Sequence, residues 1–146
     1  MIPLIVLALS FAGFLLMGIW FPYLSNWQIS LRAALGVMFL LTASAHWGRR
    51  RPDMIRMVPQ AFGEGGKWVT LTGVAELFIA VGLQVPIVAT PAAVFAAVML
   101  VCIFPANVKA AREKLTIAGR AVPELGARLL IQLLFLGALA AAIWRL

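Results

Sequence analysis

Six side chains in this sequence have the type and spacing to do chemistry: His46, Thr72, Glu76, Asn107, Arg128 and Gln132. Glu76 interrupts the apolar run WVTLTGVAELFIAVGLQV, with Trp68 eight residues before it and Val85 nine after. At a helical rise its carboxyl would lie roughly 12 Å from either end of the run. A charge held at the centre of a bilayer costs about 3 kcal/mol on insertion scales. Two readings follow: a protonated carboxyl bonded to a neighbouring helix, or a group that faces a ligand or a proton path. Thr72 and Glu76 are four residues apart, as are Thr42 and His46, and Arg128 and Gln132. Residues at that spacing share a helix face, and polar stripes in lipid face the interior of a bundle. Gly73, three residues before Glu76, would let a neighbouring helix come close.

A carboxyl and an imidazole brought together can relay a proton, while amide and guanidinium groups can orient a lipophilic molecule in an apolar pocket. Each residue also has a plainer reading. His46 can be an interfacial histidine beside Arg49. Asn107 can satisfy backbone freed by a kink at Pro105. Arg128 can snorkel to headgroups, and Gln132 can bond one helix to another. Arg32 is expected to snorkel outward. Ala92 with Ala96, or Gly137 with Ala141, are expected as small-residue packing pairs. The run Arg49, Arg50, Arg51 is expected to set topology and meet lipid headgroups.

The chain holds one histidine and one cysteine, Cys102. An internal disulfide and a two-cysteine redox shuttle are therefore impossible, and a closed zinc site built from His and Cys is not available. No Gly-rich phosphate loop follows a strand, and no G-x-S-x-G context supports a serine triad through His46. The expectation is no metal site and no cofactor bound within the chain's own ligand sets.

These side chains need elements to position them, and the composition says what kind. Of 146 residues, 64% are hydrophobic and 12% charged, and the mean hydropathy is +1.03. Soluble domains are nearer half apolar and a quarter charged, so lipid is the expected solvent. Five apolar runs are expected to be helices of one membrane domain spanning 1–146: about 2–20, 30–47, 68–85, 91–108 and 126–144. Met1 to Trp20 lacks a basic n-region and a small-residue cleavage site, so it reads as a retained helix, either spanning or lying in the interface. Pro91 is expected to start the fourth helix. A short helix is expected around Asp53 to Val58.

Formal net charge is +7, and the placement of the charges argues for topology rather than nucleic acid. Arg49, Arg50, Arg51, Arg56 and Lys67 lie in one connection, and Lys109, Arg112, Lys114 and Arg120 in another. The opposite connections, Pro22 to Asn26 and Pro86 to Pro91, have no Lys or Arg. Positive-inside then puts both basic segments and the N-terminus in the cytoplasm, and the C-terminus with Arg145 outside. This orientation places His46, Thr72, Glu76, Asn107, Arg128 and Gln132 in the cytoplasmic half of the bilayer, as one polar cleft.

The segments LRAALGVMFLLTASAHW, LTGVAELFIAVGL, FPANVKAA and RLLIQLLF resemble successive helices of the DoxX-like family of small integral membrane proteins (DoxX/DoxD type). The elements Thr-Gly-x-x-Glu, Phe-Pro-Ala-Asn and Arg-x-x-x-Gln carry the resemblance in order, over about Leu31 to Leu136. It implies an all-α transmembrane bundle with a four-helix core, to which Ile2–Trp20 adds an N-terminal helix. It also implies an inner (plasma) membrane location, membrane redox or stress roles, and interest in His46, Glu76, Asn107 and Gln132. The single Cys102 departs from what thiol oxidation would need.

The leading expectation is a non-catalytic binding or accessory subunit whose polar pocket holds a small lipophilic molecule such as a quinone. The alternatives are an oxidoreductase subunit with a proton relay through Glu76 and His46, a small proton-coupled transporter, and a bundle locked by its polar residues. A relay would need a redox partner protein, since the chain lacks a haem or iron–sulfur ligand set. A transporter would need a homo-oligomer, since inverted repeats are missing. The bilayer is the one expected partner common to all.

Overall fold

The computed structural model describes residues 2–144. Six α-helices make up most of it: α1 (Ile2–Met17), α2 (Trp27–Ala45), α3 (Arg51–Met57), α4 (Gly65–Gly82), α5 (Pro86–Arg112) and α6 (Leu125–Ala142). All five apolar runs are helical. The expected cytoplasmic N-terminus and outward Arg145 fall on residues outside the described span.

Local chemistry sets the helix ends. The Asn26 carboxamide oxygen accepts from the Gln28 and Ile29 N–H groups at 2.9 and 3.4 Å, so α2 starts at Trp27, three residues ahead of the expected Ser30. Proline stands second in α3, as Pro52, and first in α5, as Pro86, where a missing N–H costs nothing. The start expected at Pro91 is corrected to Pro86: two prolines qualified, and the earlier one begins the helix. The helix continues through both Pro91 and Pro105. At its far end Lys114 is left-handed (φ 48°). The Leu115 N–H bonds the Ala110 carbonyl at 3.0 Å and the Lys114 N–H the Ala111 carbonyl at 3.3 Å, which is a Schellman end built without glycine.

Past this end comes a feature the sequence reading did not anticipate, a two-stranded antiparallel hairpin. Its strands, β1 (Thr116–Ile117) and β2 (Arg120–Ala121), pair Thr116 with Ala121 and Ile117 with Arg120. Ala118 and Gly119 both have positive φ, 51° and 74°, as a tight two-residue turn requires. The Asp53 carboxylate accepts the Ala118 N–H at 2.8 Å and pairs with Arg56. Lys109 Nζ donates to the Arg56 and Val58 carbonyls at 2.7 and 2.9 Å. Together these bonds fasten α3, the end of α5 and the hairpin into one polar cap.

Under the cap, α2 is the central helix, packed against α1, α4 and α6; α4 packs on α5, and α5 on α6. Helices α2, α4, α5 and α6 thus form a closed cycle, and α1 lies against α2 outside it. Leu4, Leu7, Phe11 and Phe14 make the α1 stripe that faces the core, at the three-and-four spacing of one helix face. The core itself centres on Leu35, Phe39, Ile79, Leu83 and Leu139. Facing outward are large apolar side chains, with Phe78 73% and Ile87 87% exposed. Apolar exposure on that scale suits lipid rather than water.

By length and composition α2, α5 and α6 can each cross a membrane. At 16 residues α1 is shorter, and α4 carries Lys67 and Glu76 along its length. One expected packing pair needs correction. Gly137 has nothing within 4 Å of where a Cβ would sit, so its face of α6 is open. Ala92, by contrast, packs on Gly82, where a Cβ would meet the Ala92 methyl at 2.9 Å.

Candidate functional site

The end of α2 and the first turns of α4 carry the most buried polar chemistry in the fold. His46 caps α2, its N–H bonding the Ala43 carbonyl at 3.0 Å. Across from it α4 presents Val69, Thr72, Gly73 and Glu76. Gly73 permits the approach: a Cβ there would stand 2.7 Å from His46 Cβ, 2.8 Å from His46 Cγ and 3.0 Å from Trp47 Cη2. Arg51 fixes the same junction from the side. Its Nη1 donates to the His46 carbonyl at 2.9 Å, and its Nη2 to the Gly66 carbonyl at 3.1 Å and Thr70 Oγ1 at 2.9 Å. The expectation that Arg49, Arg50 and Arg51 act alike is therefore corrected. Arg49 and Arg50 are exposed, while Arg51 is half-buried and ties α2 to α4.

The bonding around the His46 ring fixes where its proton sits. Nδ1 lies 2.6 Å from the Val69 carbonyl. A carbonyl only accepts, so Nδ1 carries hydrogen and donates it. Thr72 Oγ1 is 3.4 Å from the same nitrogen and donates its own proton to the Trp68 carbonyl at 2.8 Å. The other ring nitrogen, Nε2, then faces Glu76 Oε2 at 3.4 Å, with both side chains under a tenth exposed. A carboxylate oxygen and an imidazole lone pair repel, so the contact is favourable only when one of the two groups carries a proton. Either an imidazolium faces a carboxylate or a neutral ring faces a carboxylic acid. Both forms leave the pair neutral, which is what a low-dielectric interior favours.

The contact is not a finished hydrogen bond. Glu76 Oε2 is buried and has no hydrogen-bond partner among the described residues, even though Nε2 is within ion-pair distance. The groups are close enough to interact electrostatically without forming a hydrogen bond. An orphaned buried acceptor carries a cost that a donor from elsewhere would remove.

A second polar pair joins α5 to α6. Arg128 Nη1 donates to Asn107 Oδ1 at 2.6 Å, and Nε to the Pro123 carbonyl at 3.1 Å. Asn107 therefore engages the arginine rather than backbone freed by Pro105, and Arg128 is held by protein. Gln132 is buried one turn further along α6. Among the residues expected to share a cleft, the structure brings His46 against Glu76 beside Thr72, and Asn107 against Arg128. Depth alone could not tell a shared level from a shared contact.

Two grooves flank α4. One is lined by Arg51, Glu64, Lys67, Thr70, Leu71 and Val74 at the capped end. The other is apolar and lies between α4 and α5, with Phe78, Ile79, Pro91 and Phe95 among its walls. Neither His46 nor Glu76 lines either groove.

Arg32 is the polar residue that sequence reasoning misplaced. Instead of snorkelling outward it is 7% exposed. The only available signal was its position six residues into a helix that turned out to be buried on three sides.

The family model described as Domain of unknown function (DUF8561) matches residues 35–144. No curated protein and no solved structure matches the chain.

Proposed function

Taking as premise that the chain belongs to this family of domains of unknown function, we propose that it is a membrane-embedded binding protein, an accessory rather than a catalyst. In this reading the His46–Glu76 pair meets a small lipophilic molecule that can donate or accept a proton, and a quinone has that chemistry. The observation that carries the reading is the buried Glu76 Oε2, which lacks a hydrogen-bond partner among the described residues, beside an imidazole fixed by Val69. A hydroxyl from a bound molecule would satisfy it.

The same pair favours a second reading, a proton relay within an oxidoreductase complex. A single proton shared by an anchored imidazole and a carboxyl is what a relay moves, and the electrons would come from a partner protein. For topology we propose five crossings in a bacterial inner membrane with the basic cap in the cytoplasm. The charge asymmetry supports this. The closed cycle of α2, α4, α5 and α6 supports a four-helix, DoxX-like core with α1 added.

The test pairs extraction with substitution. Lipids released from gently purified protein are identified by mass spectrometry, for wild type and Glu76→Gln. The expected result is a quinone from wild type and about tenfold less from the variant, a loss of about 1.4 kcal/mol in binding. Protein without quinone, or a Glu76→Gln variant that retains it fully, overturns the reading.

A further inference from the structure

Arg32 lies in the sixth position of α2, at the end of the bundle opposite the polar cap. Its residue surface is 7% exposed, and its Nε is fully buried with no hydrogen-bond partner among the described residues. A guanidinium in this state is costly, because a buried charge needs both a counter-charge and filled hydrogen bonds.

The acidic residues cannot supply either. The chain has five: Asp53 pairs with Arg56, Glu64 with Lys67 and Glu76 with His46. Glu113 and Glu124 follow α5 and precede α6 on the cap side. Helix α4 fixes the levels. Arg32 stands beside Gln84, whose Nε2 donates to the Arg32 carbonyl at 3.0 Å. Gln84 is eight residues past Glu76, so among the described residues the nearest side-chain carboxyl is roughly 12 Å away along the helix.

The neighbouring polar groups direct their protons at backbone instead. Gln84 Nε2 also bonds the Ala80 carbonyl at 3.1 Å, Ser30 Oγ donates to the Leu24 carbonyl at 2.7 Å, and Gln28 Nε2 donates to the Trp144 carbonyl. Arg32 is thus the one cation at this end, and no side-chain carboxylate pairs with it, among the described residues.

We infer that Arg32 is the core of an oxyanion site that takes a phosphate group. The planar guanidinium offers paired N–H donors in the geometry that phosphate oxygens accept. The depth agrees: Arg32 lies five residues past Trp27, roughly 7.5 Å along the helix, from an aromatic belt formed by Trp20, Tyr23 and Trp27, all exposed. Because the Arg32 side chain is buried rather than extended outward, the phosphate would reach inward over that distance. The phosphate can belong to a phospholipid headgroup or be free in solution. This site is separate from the His46–Glu76 pair and stands whether or not that pair binds a quinone.

The experiment uses the full chain, delipidated in a neutral maltoside detergent. Binding is followed by native mass spectrometry and melting temperature, with three probes: phosphatidylglycerol, inorganic phosphate and a galactolipid that lacks phosphate. Expected are one phosphatidylglycerol bound per chain, a raised melting temperature, and no binding of the galactolipid. An Arg32→Gln variant should bind phosphatidylglycerol on the order of tenfold more weakly. Response to phosphatidylglycerol alone assigns the site to a headgroup, and response to inorganic phosphate as well assigns it to a free oxyanion. Equal binding of galactolipid and phosphatidylglycerol by wild type overturns the proposal even if Arg32→Gln fails to fold. So does a folded Arg32→Gln that binds as wild type does, or the absence of binding by either phosphate probe.

Discussion

Gly73→Ala is the sharpest test of how His46 and Glu76 come to meet. The added methyl would sit 2.7 and 2.8 Å from His46 Cβ and Cγ, whereas carbon atoms rest near 3.5–4.0 Å. Cβ is anchored to the α2 backbone, so rotating the side chain cannot relieve the clash. The helices would have to part by about 1 Å, and overpacking of this kind costs about 1–3 kcal/mol. Alanine returns about 1 kcal/mol through helix propensity, leaving a net loss of up to about 2 kcal/mol. In a chain of this size that lowers the melting temperature by up to roughly 8 °C. Gly137→Ala is the matched control, since nothing lies within 4 Å of its Cβ position, and it should be neutral or mildly stabilising. The assay is thermal unfolding of both variants in detergent, together with the ring-nitrogen NMR signals of the single histidine. Wild type should show a hydrogen-bonded Nδ1–H that is weakened in Gly73→Ala. If Gly73→Ala melts at the temperature of Gly137→Ala with an unchanged histidine spectrum, the close approach of α2 and α4 is refuted.

Other perturbations test the remaining contacts. Arg51→Met removes donors to the His46 carbonyl, the Gly66 carbonyl and Thr70; unfolding in detergent should show a loss of roughly 2–3 kcal/mol. The Asp53 carboxyl is held below its ordinary value of 3.8 by the Ala118 N–H first and by Arg56 second. Its contribution is complete above that value and is lost as pH falls below it. Protection of the Ala118 amide relative to its intrinsic exchange rate should accordingly fall on acidification below about 3.8, and not in Asp53→Asn. A double-mutant cycle on Asn107→Ala and Arg128→Met should return a coupling of about 1–3 kcal/mol, and zero coupling would mean the pair is incidental. With Cys102 replaced by serine, a cysteine at Ser25 should react with an impermeant reagent from outside the cell and one at Gly65 should not. The reverse labelling overturns the proposed orientation.

Much of this architecture is legible in the sequence because the hydrophobic pattern is long and interrupted by turn residues. Pro22, Asn26, Pro86 and the glycines before Trp68 bracket the runs, and all of these runs are helices. Pairing is less legible. Periodicity put Thr72 with Glu76 and Arg128 with Gln132 on common faces, yet which face met which helix depended on interhelical packing. His46 meets Glu76 because Gly73 lets it. Arg128 meets Asn107 because α5 and α6 are neighbours, a fact no single helix encodes. The Ala118–Gly119 turn escaped notice because alanine in a left-handed conformation is held there by the remote Asp53. Arg32 was misplaced for a related reason: the central role of α2 is a property of the assembled bundle.

The three bonds of Arg51 have a mechanical meaning. They grip the backbone of His46 itself, along with the first turn of α4 that carries the Val69 acceptor. Arg51 is also the first residue of α3, and so belongs to the polar cap as much as to the buried junction. A protein that docked on the cap and rotated α3 would pull directly on the imidazole's own helix end. A change in the His46–Glu76 contact would be felt at the cap surface by the same lever, without any rearrangement of the apolar core.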